Sequence, residues 1–111
     1  MSAGKRTELI KIERETRAPD GGGGSVTTWA ELGQLWAEAR FARAGEKKDR
    51  GPVRETTVYK FIVLTDDAED LGIRATDRIV WDGELYNIRE RPRRMQRVAE
   101  TEIVAESGVA Q

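Results

Sequence analysis

The chain contains no cysteine and no histidine. The first absence removes disulfides and thiolate chemistry, and the second removes the commonest general base and metal ligand. Carboxylates remain available for acid–base work, but spacing marks no nucleophile–base pair and no two carboxylates as partners. Neither sign of charge dominates: 19 Lys and Arg face 20 Asp and Glu, so no global basic field argues for nucleic acid. No apolar run reaches the roughly 18 residues of a membrane-spanning helix, and no signal-peptide pattern opens the chain. These absences lead to the expectation of a soluble, cytoplasmically made protein that is not an enzyme and holds no cofactor and no metal. At 111 residues the chain reads as a single domain, with a core over residues 8–105 and flexible ends.

The clearest positive signal is the stretch from Asp77 to Ile88, DRIVWDGELYNI. Two short apolar runs flank Asp82-Gly83, the strongest short-range hairpin signal, because a type I′ turn needs positive φ at both central residues. With Asp82 and Gly83 as the loop, Trp81 faces Glu84, Val80 faces Leu85 and Ile79 faces Tyr86. Such aromatic and branched pairs stabilise an antiparallel ladder.

Upstream, residues 1–8 read as a loose end. Leu9 to Glu15 alternates, with Ile10 and Ile12 on one face and Lys11 and Glu13 on the other, which predicts a half-buried strand. Pro19 and the four glycines that follow Asp20 break the chain, giving a long hairpin loop from Arg17 to Ser25. A phosphate-cradling loop is rejected there, because no Lys-Ser/Thr follows and no βαβ context surrounds it.

Val26 to Arg40 supports two readings. Thr28 and Glu31 have capping-box spacing, Trp29, Leu32, Leu35, Trp36 and Ala39 recur at helical intervals, and Gly45 offers a stop. Against a helix stand the strand composition of Val26 to Trp29 and the glycine at position 33. The alternative is a strand, a tight turn over Ala30 to Gly33, and a second strand from Leu35 to Arg40. Phe41 to Arg54 is charged and weakly periodic, and reads as an inserted loop or one helical turn. Thr56 to Leu64 has the composition of a central strand covered on both sides. Asp66, Asp67, Glu69 and Asp70 follow as an acidic loop. After the hairpin come Arg89, Arg91, Arg93, Arg94 and Arg97, with Pro92 setting a turn, then an alternating strand from Val98 to Ala105 and a frayed end from Glu106. Short strands between turn signals predict an all-β fold, a small antiparallel barrel or sandwich.

Two chemistries can be weighed against plainer roles. The acidic cluster lacks the glycine and terminal Glu of a helix–loop–helix calcium loop and reads as a solvated turn. The arginine stretch could grip phosphates while Trp81 or Tyr86 stacks on bases, which would make a nucleic-acid-binding barrel. The plainer role is an exposed hairpin that meets acidic surfaces of a protein partner.

The order of motifs resembles the head–tail adaptor, or head-closure ("stopper"), family of tailed bacteriophages. The resemblance is carried by Trp29, Leu32 and Trp36-Ala37-Glu38, by Gly45-Glu46 in a charged insertion, and by the Thr-rich strand Glu55 to Ile62. It is strongest in Arg78-Ile79-Val80-Trp81-Asp82-Gly83 and Tyr86-Asn87-Ile88, and it spans about residues 9 to 105. It implies a small β-barrel with a long inserted loop or short helix, in which Trp36 to Arg40 is a strand and Trp29 to Gly33 a strand end plus turn. Core packing then falls to Trp36, Phe61, Ile79, Trp81, Tyr86 and Ile88. The resemblance further implies a virion protein of the head–tail neck, from a phage or a gene transfer agent, assembled in the host cytoplasm. Six or twelve copies would form a ring, with the portal or its adaptor above and a tail-terminator or tail-tube protein below. Packaged DNA would pass through without sequence-specific binding, and no membrane is involved. Ring contacts are expected from Arg40 and from the insertion (Arg43, Glu46, Lys47, Lys48, Arg50, Arg54). The acidic cluster (Asp66, Asp67, Glu69, Asp70) is expected to meet the arginine stretch (Arg89, Arg91, Arg93, Arg94, Arg97) of the next copy.

Overall fold

A computed structural model describes residues 6–47 and 54–108. Strands β1 (Glu8–Pro19) and β2 (Ser25–Lys47) form a long antiparallel hairpin, paired from Glu8↔Ala37 to Pro19↔Ser25. Strand β3 (Arg54–Leu64) pairs with the second half of β2, from Glu38↔Ile62 to Lys47↔Arg54. Helix α1 (Thr65–Leu71) follows, then the hairpin of β4 (Arg78–Trp81) and β5 (Glu84–Ile88). The two-residue β6 (Arg93–Arg94) and β7 (Glu100–Ser107) complete the order. Strand β4 pairs with β1 and β7 pairs with β5, β6 and β3, so the antiparallel sheet closes in a ring. The mainly β, antiparallel class expected from the sequence is the one observed.

The β4–β5 hairpin has the register read from its sequence, Trp81↔Glu84, Val80↔Leu85 and Ile79↔Tyr86. Asp82 (φ 52°) and Gly83 (φ 77°) supply the two positive-φ positions of its turn. Inside the ring, alternate residues of each strand meet: Ile10 and Ile12, Leu35 and Ala37, Phe61 and Val63, Ile79, Tyr86 and Ile88, Ile103 and Ala105. Phe61, Tyr59, Trp81 and Tyr86 form an aromatic cluster with ring centroids 5.0–6.0 Å apart, mostly edge to face. As its composition predicted, β3 is also covered on its other side, where Ile62 is fully buried between its cross-strand neighbours Glu38 and Glu102.

Several expectations need correction. The helical spacing over 26–40 loses to continuous strand, and the turn over Ala30 to Gly33 is a β-bulge: Ile12 pairs with Gly33 but Glu13 with Glu31, which leaves Leu32 as the extra residue. Strand β2 has partners along its whole length, first β1 and then β3, and a local helix would strand both. The glycine at 33 also has a structural reason, since a Cβ there would lie 2.6 Å from Leu71 Cδ2, where α1 packs on β2. The glycine-rich loop shrinks to residues 20–24, because Arg17, Ala18 and Pro19 remain paired in β1. Asp20 closes it by accepting from the Gly22 and Gly24 amides at 2.8 and 3.1 Å.

The inserted loop from Phe41 to Arg54 is strand over Phe41–Lys47 and at Arg54; residues 48–53 lie outside the described residues. The acidic loop is helix α1. Asp66 and Asp67 suit its first turn, and Gly72 in the left-handed region caps it by donating to the Ala68 and Glu69 carbonyls. The described part of each end is better held than expected: Arg6 pairs with Glu100 at 2.8 Å, and Glu106 and Ser107 are buried in β7. Trp36 is not a core residue. Leu35 and Ala37 take the inward positions of β2, which turns Trp36 outward and leaves it 56% exposed.

Candidate assembly surfaces

Strand β2 is longer than the closed ring is tall, so its two ends leave the body as arms. Strand β1 meets β4 only over Lys11–Glu13, and β3 meets β2 only from Glu38 onward. Beyond those points β1 and β2 pair only with each other, and residues 15–19 and 25–28 are exposed. At the other end β2 and β3 extend together past the last β3–β7 pair, Thr57↔Ser107, as a short ribbon from Gly45↔Thr56 to Lys47↔Arg54. The chain measures 51 × 33 × 23 Å along its principal axes, an elongated shape set by these ribbons.

The first arm is braced at its root. Arg14 donates from Nε and Nη2 to the two Asp77 carboxylate oxygens at 2.9 Å each, and from Nη2 to the Gly72 carbonyl at 2.8 Å. Asp77 also accepts from the Arg74 amide at 2.8 Å, and its side chain is 0% exposed. The hydrogen bond to Asp77, reinforced by its charge against the opposing effect of burial, raises Arg14 above the ordinary arginine pKa. Arg78 bonds Glu13 at 2.8 Å while its guanidinium sits 4.1 Å from the Trp29 ring centroid. The sequence reading missed both anchors; Arg14 and Asp77 carry no local signal, being 63 positions apart.

The residues expected at ring contacts divide into three groups. Arg40 is bound to Glu38 at 2.6 Å, and that hydrogen bond, with the charges of Glu38, Glu100 and Glu102, raises its pKa despite burial. Arg93 is bound to Glu102 at 2.7 Å and Arg89 to Glu106 at 3.6 Å. These three arginines are therefore occupied within the subunit, although all remain partly accessible. Arg43, Arg91, Arg94 and Arg97, and Asp66, Asp67, Glu69 and Asp70 on α1, are exposed with no ion-pair partner among the described residues. Glu46, Lys47 and Arg54 have their backbones in the β2–β3 arm; Lys48 and Arg50 lie outside the described residues.

The acidic helix and the arginine turn are neighbours within one chain. A cleft of about 310 Å³ between them is lined by Glu69 and Ile73 on one side and by Arg91, Pro92 and Arg94 on the other. Trp81 and Tyr86 do not form a base-stacking platform beside those arginines. Tyr86 is buried, Trp81 is packed against the core, and the Trp81 Nε1–H is committed to Glu8 at 3.1 Å. Burial, with the Glu84 charge adding to it, pushes the Tyr86 phenol above its ordinary pKa. Among the described residues no acidic group is arranged to hold a metal ion, and no helix is long and apolar enough to cross a membrane.

Two exposed aromatics stand out. Trp36 lies across from Leu9, which is 45% exposed, and beside Leu64, with Arg6 and Asp67 bordering a cleft of about 380 Å³. Phe41 is 60% exposed at the root of the β2–β3 arm, its ring edge-on to Tyr59 at 5.7 Å. Trp36 was expected inside, and the parity of its neighbours is the signal that places it outside.

The fold is shared with solved structures. One chain in the virion of a native gene transfer agent particle superposes with a TM-score of 0.74 at 18% identity, over 93% of this chain and 94% of that one. A solution structure of a protein from Shigella flexneri 2a superposes at 0.71, with 20% identity over the full length of both chains. Protein xkdH of the phage-like element PBSX from Bacillus subtilis superposes at 0.56, with 15% identity over 88% and 90%. At these identities the likeness is one of fold. No curated protein matches the chain. The family model for phage head completion proteins matches residues 1–108, nearly the whole chain. The chain is therefore a member of the phage head completion protein family, a family of structural phage head proteins rather than a type of enzyme.

Proposed function

We propose that copies of this chain assemble into a ring beneath the portal or its adaptor, close the DNA exit channel of a filled head, and present the platform on which a tail docks. The observation that carries this reading is the pair of arms that leave the closed body at opposite ends of β2, joined to unpaired charge of both signs. A closed sheet has few free edges to offer a partner, so ribbons that project from it are natural contact elements. A ring needs one face of each copy to meet a different face of the next, and a surface with separated acidic and basic blocks meets that requirement. On this reading α1 with Asp66, Asp67, Glu69 and Asp70 faces the basic surface of a neighbour, and the DNA passes without base recognition.

The nucleic-acid-binding alternative loses support, because Arg89 and Arg93 are tied to Glu106 and Glu102 and the nearby aromatics are packed inward. Electron microscopy of particles made without the chain tests the main reading. Filled heads without tails, or heads that have lost their DNA, are expected, and fully tailed particles would refute it.

A further inference from the structure

The two edges of the β1–β2 arm are free in a definite pattern. Pro19 has no N–H, and the Asp20 amide donates to the Gly24 carbonyl at 3.1 Å, so Pro19↔Ser25 is a non-hydrogen-bonded pair of the ladder. Alternation then makes Ala18↔Val26 and Thr16↔Thr28 the bonded pairs, and turns the N–H and C=O groups of Glu15 and Arg17 outward on β1. On β2 the groups of Ser25, Thr27 and Trp29 turn outward in the same way. Among the described residues no backbone hydrogen bond outside this ladder reaches residues 15–19 or 25–30.

Free strand edges are ordinarily guarded by charge or by proline. Strand β1 carries Glu15, Arg17 and Pro19, but Glu15 and Arg17 bond each other at 3.1 Å, so that edge has no net charge to repel a partner. Ser25 to Ala30, SVTTWA, contains neither a charged residue nor a proline, and Val26 is 47% exposed. An unguarded edge rich in β-branched residues, on a ribbon that projects from the body, is a template for strand addition.

We infer that the β2 edge of one copy, Ser25 to Ala30, pairs with the β1 edge of the next, Glu15 to Pro19, so that ribbons running along the ring axis join into one continuous sheet. The occupant is a second copy of this chain because each ribbon carries both halves of the pairing. Cyclic symmetry points all such ribbons the same way, so β1 of one copy runs antiparallel to β2 of its neighbour, as the two strands do within a ribbon. Outward groups recur at every second residue on both edges, which matches them for an antiparallel ladder. The two edges differ, so the contact is heterologous and propagates until the ring closes. The inference rests on the ring reading and deepens it by naming the two edges that meet.

Proline at position 27 gives a direct test. Thr27→Pro removes an outward N–H that the subunit's own ladder does not use, so its thermal melt is expected to match the parent. Its retention on heads is expected to fall roughly tenfold or more, through loss of backbone hydrogen bonds between copies. Thr27→Val keeps that N–H and should be retained as the parent is. Hydrogen exchange on the unsubstituted chain gives a second readout that does not depend on a variant folding. The amides of Glu15, Arg17, Thr27 and Trp29 should exchange quickly in the free chain and slowly in particles.

Thr27→Pro retained at the parental level, on particles where microscopy still shows a ring, overturns the inference and leaves the ring reading standing. So do Thr27 and Trp29 amides that exchange on particles as fast as in the free chain. Protection of Thr27 and Trp29 without protection of Glu15 and Arg17 overturns it too, because the strand added to β2 is then not β1 of a neighbour. A loss for Thr27→Val as large as that for Thr27→Pro puts recognition in the side chain and has the same result. Absence of the parent chain from filled heads overturns both readings.

Discussion

Arg14 and Asp77 give the sharpest test of how the first arm is held. The Asp77 side chain is wholly buried and has three donors: two from Arg14 and the Arg74 amide. Arg14→Ala leaves that carboxylate with the amide alone and removes the tie to the Gly72 carbonyl. Breaking a fully buried ion pair from one side costs about 3–5 kcal/mol. Arg14 is itself 25% exposed, so water reaches the vacated space and the expected loss falls to roughly 2–3 kcal/mol. Against a total stability of about 5–15 kcal/mol for a domain, that is a large fraction. It corresponds to a drop in Tm of roughly 10–20 °C for a chain of this size.

Urea denaturation of the parent, Arg14→Ala, Asp77→Ala and the double variant closes a thermodynamic cycle. The double variant should lose less than the sum of the singles, because neither partner is then left unpaired; a coupling of about 1 kcal/mol or more is expected. Arg17→Ala serves as the control, since its pair with Glu15 has the arginine side chain 71% exposed and should contribute at most about 0.5 kcal/mol. A loss for Arg14→Ala no larger than that of the control would refute the claim that this pair anchors the arm.

Three further substitutions probe other joints. Gly108→Ala forces a Cβ onto the Glu55 carbonyl at a φ of +82° and should cost about 1–3 kcal/mol, read by thermal melting. Gly33→Val should displace Leu71 and loosen α1, with faster amide exchange over residues 65–71; pairing it with Leu71→Ala should restore part of the loss. Tyr86 has a raised pKa in the folded state, so its contribution is fully present below the ordinary tyrosine value near 10 and is lost as pH rises through the folded value. Tyr86→Phe should therefore melt as the parent does at pH 7 and lose less stability than the parent above pH 10.

What could be read from the sequence was the structure that local chemistry decides. The Asp82-Gly83 turn fixes its own geometry, and with it the pairing of Ile79 with Tyr86. The β-branched run of β3 is equally local. Strand β2 was ambiguous because Trp29, Leu32, Leu35 and Trp36 satisfy a helical period, and only distant partners, β1 and then β3, make the strand win. Helix α1 has seven residues, too few for periodicity to declare itself, and its stop signal at Gly72 gains meaning only once Leu71 is seen on β2. Trp36 was misplaced because size and apolarity suggest burial, whereas parity is set by Leu35 and Ala37. The charged residues named for assembly were legible as blocks. Which arginines the subunit already occupies was not, because Arg93–Glu102 and Arg89–Glu106 are set by the pairing and packing around β7.

Closure of the sheet and extension of β2 are two sides of one arrangement. In the body each strand except the two-residue β6 finds a neighbour on both sides over part of its length, so few backbone groups there are free and the surface offers mainly side chains. Past Glu13 on β1 and before Glu38 on β2 the ribbon has only its own two strands, so its outer edges keep free donors and acceptors. A two-stranded ribbon is marginal alone, which explains why the root of this one carries the Arg14–Asp77 and Arg78–Glu13 anchors and the Arg78–Trp29 stack. The Arg14 anchor attaches the arm to the loop between α1 and β4, and the Arg78 contacts attach it to the start of β4. Through the Gly72 carbonyl, which Arg14 holds, the arm is tied to the C-terminal end of α1. A variant lacking the Arg14 anchor is therefore expected to lose amide protection over the arm, residues 14–19 and 25–29, at temperatures where the core remains protected, which hydrogen exchange would read.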